Sequence, residues 1–180
     1  AAARDLAGDA ADYVAAVCPA LAAQRYGLDV IAEDIGDRQD AVTRFVVVTL
    51  PGRIPDPTGA DKTTVVAALR SDRAGALLEL LEQFSTRGIT MSRIESRPTG
   101  DRLGLYQFSI DLLGHISEAR VSDALIGVHR VARSLTFLGS YPSADGTRPI
   151  VDPTTTDASF DDAIAWMSGI LDAADGSPTA

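Results

Sequence analysis

Between Pro51 and Asp61 the chain carries three prolines and two glycines with little apolar content. Proline removes a backbone donor and fixes φ, so such a stretch suits neither a helix interior nor a central strand. We read residues 51–61 as a linker that divides the 180 residues into tracts with separate patterns. An apolar share of 46% is ordinary for a globular chain and allows one ordinary domain or two small ones.

Residues 1–50 form the first tract. Ala-rich text from Asp9 to Arg25 has apolar residues at helical spacing and predicts two short helices parted near Pro19, the second ended by Gly27. Leu28 to Ala32 and the β-branched run Phe45 to Leu50 read as strands around a polar loop. The expectation is part of an α/β lobe, with too few strands to close a fold alone.

Residues 62–142 are more regular. Lys62 to Leu69, Ile89 to Ser96, Leu103 to Leu112 and Leu135 to Tyr141 read as strands. Ala76 to Arg87 and Glu118 to Arg133 read as helices, with Leu77, Leu80, Leu81 and Phe84 on one buried face and Val121, Leu125 and Val128 on the other. The order βαββαβ predicts a ferredoxin-like α+β domain, an antiparallel sheet covered on one face by two helices, with a turn at 98–101. Residues 143–180 are read as a linker and a C-terminal extension whose helix, Asp157 to Ala174, starts at a Ser159 and Asp162 capping box and docks its apolar face on protein.

A net charge of −9 argues against a phosphate-backbone partner, so no nucleic acid is expected. No apolar run approaches the roughly 18 residues of a membrane span, and Ala1 to Asp5 lacks the order of a signal peptide. The single cysteine, Cys18, excludes an internal disulfide, fits a cytoplasmic setting, and is read as a small helix-core residue. His115 and His129 lack metal-ligand spacing and are assigned surface or capping roles, and Asp34, Asp37 and Asp40 lack a calcium-loop pattern. No metal and no cofactor are expected. The opening, without Met and in mid-domain text, leads us to expect a piece of something longer.

Against this acidic background Arg44, Arg93 and Arg97 stand out as groups able to hold a small carboxylate. Gly75 opens the helix at Ala76, Leu77 and Leu78, where first-turn N–H groups attract anions. Glu95 and Arg97 share one strand face, Ser96 and Pro98 the other. By spacing alone this corner is equally a surface ion pair beside a glycine turn or a site for a zwitterion.

Gly75-Ala76-Leu77-Leu78, with Phe84, Gly88-Ile89 and Ile94-Glu95-Ser96-Arg97-Pro98, resembles the ACT regulatory domain of prephenate dehydratases. Upstream, Tyr26-Gly27-Leu28, Ile35 and Thr43-Arg44-Phe45 resemble the closing part of that family's catalytic domain, a periplasmic-binding-protein-like fold. Thr90-Met91 departs from the family's usual Asn-Leu, and the loop before Thr43 lacks its usual Asn.

The resemblance implies conversion of prephenate to phenylpyruvate, carbon dioxide and water by a carbon–oxygen lyase, regulated by L-phenylalanine. It implies catalytic Thr43, Arg44 and Phe45, and an effector site at Gly75, Ala76, Leu77, Leu78, Glu95, Ser96, Arg97 and Pro98. It further implies a homodimer or homotetramer joined through ACT domains. Residues 1–50 are expected to be a C-terminal remnant of the catalytic domain, and the 180-residue chain is expected to be inactive alone. A stand-alone aromatic amino-acid-binding or oligomerisation module is the alternative reading.

Overall fold

The structure, a computed structural model, describes residues 1–8, 11–38, 40, 42–71, 73–98 and 106–174. They fall into two compact units, Ala1–Leu50 and Pro51–Ala180.

The first unit contains helices α1 (Ala2–Leu6) and α2 (Ala20–Tyr26). They pack together, each burying one small side chain, Ala3 and Ala23, and the Tyr13 hydroxyl donates to the Ala2 carbonyl. Gly27, at φ 66°, ends α2, and the Leu28 N–H closes the last turn on Ala23 O at 3.0 Å. Here the structure departs from the expected ranges of helices and strands. The described residues between Ala11 and Pro19 form no helix, and the first helix lies upstream of its expected range, while Asp9 and Ala10 lie outside the described residues. Cys18 is half-buried and outside any helix.

Neither Leu28–Ala32 nor Phe45–Leu50 forms a strand, and Phe45 and Val47 are 88% and 94% exposed. The physical reason is that a strand is one side of a ladder. β-Branched side chains favour the conformation, but the backbone N–H and C=O groups need a neighbour to pair with, and no described segment of this unit supplies one.

The second unit is a four-stranded antiparallel sheet with helices on one face. Its strands are β1 (Asp61–Ala68), β2 (Met91–Pro98), β3 (Tyr106–Leu113) and β4 (Ser134–Pro142), in the order β2-β3-β1-β4. Helix α3 (Ala76–Ser85) joins β1 to β2, and α4 (Ala119–Val131) joins β3 to β4. The expected order of elements is present, and the expected turn at 98–101 lies, after Pro98, outside the described residues.

Period-two alternation divides the sheet faces. Val65 and Ala67 of β1 pair with Ile110 and Phe108 of β3, and all four meet Leu80 and Phe84 of α3 and Val121, Ala124 and Val128 of α4 in one apolar core. Lys62, Thr64 and Val66 face the other way, as do Asp111 and Ser109 opposite them.

Several polar groups are buried at the sheet margin. Arg120, the largest fully buried side chain, donates to Glu118 Oε2 at 2.6 Å and to the Leu113 carbonyl at 3.3 Å. His115 is buried rather than on the surface: its Nε2 donates to Pro55 O at 3.0 Å, since a carbonyl only accepts, while Nδ1 meets Ser117 Oγ at 2.7 Å. That bond fastens the proline-rich segment to the rest of the second unit.

After β4 the chain passes through a 3-10 turn, Pro153–Thr155, into α5 (Asp157–Ala174). Its cap is Thr156, whose Oγ1 accepts from the Ser159 N–H; Ser159 itself lies inside the helix, a correction to the predicted capping box. Asp157 Oδ1 accepts from the Ala119 N–H at 2.7 Å and ties the start of α5 to that of α4. Beyond this the helix buries none of its side chains within the unit, and Ile164, Trp166, Met167, Ile170 and Leu171 remain exposed. No described helix is long and apolar enough to cross a membrane.

The core assignment has a direct test. Leu80→Ala, at a fully buried position, is expected to cost about 2–5 kcal/mol in urea unfolding followed by circular dichroism. Leu78→Ala, 60% exposed on the same helix, should stay within about 0.5 kcal/mol of the parent.

Candidate functional site

Strand β2 lies at one edge of the sheet and carries Glu95, Ser96, Arg97 and Pro98 at its exposed C-terminal end. Its register with β3 sets Arg93 opposite Asp111, Glu95 opposite Ser109 and Arg97 opposite Gln107. Because paired residues share a face, these three β2 side chains stand on the side of the sheet away from the helices. Ser96 and Pro98, opposite Phe108 and Tyr106, stand on the helical side.

The charges along β2 are connected. Glu95 Oε1 lies 2.9 Å from Arg93 Nη1, and its Oε2 lies 3.5 Å from Arg97 Nη2. Hydrogen bonding from Arg93 is the main cause that holds the Glu95 carboxyl below the usual carboxylate range. Arg97 is 72% exposed and is the most accessible cation of the row. Arg93, expected from sequence as another carboxylate holder, is instead engaged inward: its Nε lies 2.9 Å from Oδ2 of the buried Asp111.

Sequence reading missed Asp111, its partner Thr64 and the Tyr141 hydroxyl that meets Thr64. The available signal was a lone acid within the otherwise apolar stretch Ile110-Asp111-Leu112-Leu113, since a buried carboxylate requires a partner.

Gly75 caps the start of α3 in the left-handed region, at φ 83°. A Cβ there would meet no atom within 4 Å, so it is the backbone conformation that asks for glycine, and the approach to the helix start is open. The Ala76 N–H is taken by Arg73 O, while the N–H groups of Leu77 and Leu78 lie in the first turn, where helices lack internal acceptors. Leu77 packs against the core and Leu78 points outward. Beside this turn lies a cavity of about 350 Å3, bordered by Arg70, Arg73, Ala76, Glu79 and Arg130.

The turn and the β2 corner occupy the same end of the sheet, but not on adjoining strands. Ala68 at the end of β1 pairs with Gln107 of β3, which pairs in turn with Arg97. Strand β3 therefore stands between them, a separation of two strand spacings, or about 10 Å. Within one chain the two halves of the expected effector site face a common end of the sheet without touching through this row.

Thr43, Arg44 and Phe45 belong to the first unit, in irregular chain, with all three exposed. No cluster of acidic, histidine or cysteine side chains suited to a metal occurs among the described residues.

A family model described as prephenate dehydratase matches residues 1–52. A curated prephenate dehydratase from Amycolatopsis methanolica is 40% identical over 170 residues, which cover 94% of this chain and 56% of that protein. One from Mycolicibacterium smegmatis is 44% identical over 172 residues, covering 94% of this chain and 52% of its own length. The chain is thus similar to prephenate dehydratases along nearly its whole length. It spans about half the length of these curated relatives.

Among solved structures, prephenate dehydratase from Arthrobacter aurescens in complex with L-Phe is similar at a TM-score of 0.84 and 56% identity, covering 91% of this chain and 54% of that one. The family likeness therefore extends across both units, well beyond the residues that the family model matches.

The Gly75 geometry makes a prediction of its own. Gly75→Ala should destabilise the second unit by about 1–2 kcal/mol, the cost of a left-handed residue with a Cβ, while Gly75→Asn should cost less. Thermal unfolding of the two variants beside the parent checks the order.

Proposed function

We propose that the chain is the C-terminal part of a phenylalanine-regulated prephenate dehydratase. In this reading residues 1–50 belong to the catalytic domain, 51–61 are the linker, 62–142 are a ferredoxin-like βαββαβ ACT domain, and 143–180 are an extension. The observation that carries the regulatory half is the Glu95–Arg97 corner at the same sheet end as the open Gly75 turn, in a chain similar to a prephenate dehydratase solved with L-Phe. A zwitterion presents one carboxylate and one ammonium. Arg97 and the first-turn amides of α3 suit the former, and Glu95 suits the latter.

Because β3 separates these groups within one chain, a single ligand contacts both sets most readily when β2 of one copy meets the Gly75 turn of another. Among the described residues the outer edge of β2 pairs with no strand, which supports such a homo-oligomer. Leu77, Leu78, Ala76, Ser96 and Pro98 supply apolar and small surface for the aromatic ring. Ligand-dependent rearrangement of that assembly is the route by which phenylalanine regulates catalysis.

The catalytic chemistry we assign to Thr43 and Arg44. Prephenate carries two carboxylates, and a guanidinium offers a permanent charge with bidentate geometry. As the bond to the departing carboxylate breaks, its electron pair enters the ring and the ring hydroxyl leaves. Thr43 either donates the proton that makes water of it or stabilises the leaving oxygen by a hydrogen bond. In the whole protein we assign Phe45 a packing role beside the motif. Thr43, Arg44 and Phe45 are exposed in the first unit, which supports the further reading that these 180 residues do not turn over prephenate alone.

Two measurements test the proposal. Titration calorimetry should detect L-phenylalanine binding to the chain, weakened roughly tenfold or more by Arg97→Ala, in keeping with the about 1.5–3 kcal/mol of a hydrogen bond to a charged group. Identical binding by both removes Arg97 from the site. Phenylpyruvate formation from prephenate should be absent with the chain alone, and appreciable turnover contradicts that part of the assignment.

A further inference from the structure

Arg93 lies outside the Glu95–Pro98 corner, yet it makes the corner's strongest contacts. Its Nε and Nη2 lie 2.9 and 3.2 Å from the two Asp111 oxygens, and Nη2 also donates to Ser109 Oγ at 2.9 Å. Its remaining arm reaches Glu95 at 2.9 Å, whereas Arg97 approaches Glu95 only to 3.5 Å. Asp111 has no exposed side-chain surface and accepts a further bond from Thr64 Oγ1 at 2.8 Å. The guanidinium is thus fixed from the middle of the sheet, and Glu95 is fixed from the guanidinium. Only a rigid fork with five donors spans both carboxylates; a lysine ammonium is a single point of charge.

We propose that Arg93 is a positioning residue for ligand recognition: anchored on Asp111, it holds the Glu95 carboxylate in place to accept a ligand's ammonium and leaves Arg97 to meet the ligand's carboxylate. This rests on the reading of the corner as an amino-acid site and adds the source of its preference for a zwitterion. Arg93 and Asp111 offset each other in charge, so the corner presents one accessible anion and one accessible cation. Bonding to Arg93 occupies only part of Glu95's acceptor capacity, since a carboxylate offers about four lone-pair positions. The same hydrogen bond holds Glu95 ionised below the usual range.

The test compares two ligands on the full chain by calorimetry: L-phenylalanine and 3-phenylpropanoate, which lacks the ammonium. The parent should prefer phenylalanine by about tenfold or more, the effect of one charge-assisted hydrogen bond. Arg93→Gln should reduce phenylalanine affinity about tenfold and leave 3-phenylpropanoate within about twofold, so that the preference collapses.

A second variant, Arg93→Met with Asp111→Leu, removes the pair without stranding a buried carboxylate and should behave alike even where Arg93→Gln folds poorly. Equal weakening of both ligands, or an unchanged preference, overturns the positioning role while phenylalanine binding by the parent stands. A parent that binds no phenylalanine overturns the assignment of the corner itself, and the role of Arg93 with it.

Discussion

Asp111 places a carboxylate at the centre of the sheet with no side-chain surface open to water, and the uncovered face of the second unit is arranged around satisfying it. A charge in that position is tolerated only when donors surround it. Thr64 donates to Asp111, and because a hydroxyl has one hydrogen, the 2.6 Å contact between Thr64 and Tyr141 has Tyr141 as donor. The resulting row runs from Tyr141 on β4 through Thr64 on β1 and Asp111 on β3 to Arg93 and Glu95 on β2. All four strands are linked by polar contacts on one face and by an apolar core on the other. Hydrogen bonding to Asp111 is also the main cause that raises the pKa of Arg93 above its ordinary value.

This arrangement explains which parts of the second unit were legible in the sequence. Helices α3 and α4 follow from local periodicity, and their buried positions Leu80, Phe84, Val121, Leu125 and Val128 were those the spacing marked. The strands were legible from alternation. What local pattern does not contain is adjacency: β3 inserts between β1 and β2, so the turn at Gly75 and the corner at Glu95 are not on neighbouring strands. Asp111 was missed for the same reason, because its partners Arg93 and Thr64 lie 18 and 47 residues away in the chain. The exposed corner was legible as a cluster of charge, but which arginine is anchored and which is accessible depends on the register.

The first unit shows the complementary failure. Helix α2 and its Gly27 cap are local events and were read correctly. The run Phe45–Leu50 has strong β propensity, yet propensity is realised only against a partner strand, and none is present among the described residues of that unit. Thr43 and Arg44, for which the catalytic role is proposed, precede this run and share its irregular, exposed chain. The curated prephenate dehydratases to which the chain is similar are about twice as long as the portion matched here.

The central claim is that the Gly75 turn and the Glu95–Pro98 strand end form an amino-acid site in the second unit. Amide hydrogen exchange on the full chain, with and without saturating L-phenylalanine, tests it most directly. The account predicts slowed exchange at Leu77 and Leu78 in the first turn of α3 and at Glu95 to Arg97 on β2. Unchanged exchange at both places, or protection confined to other elements, would contradict it.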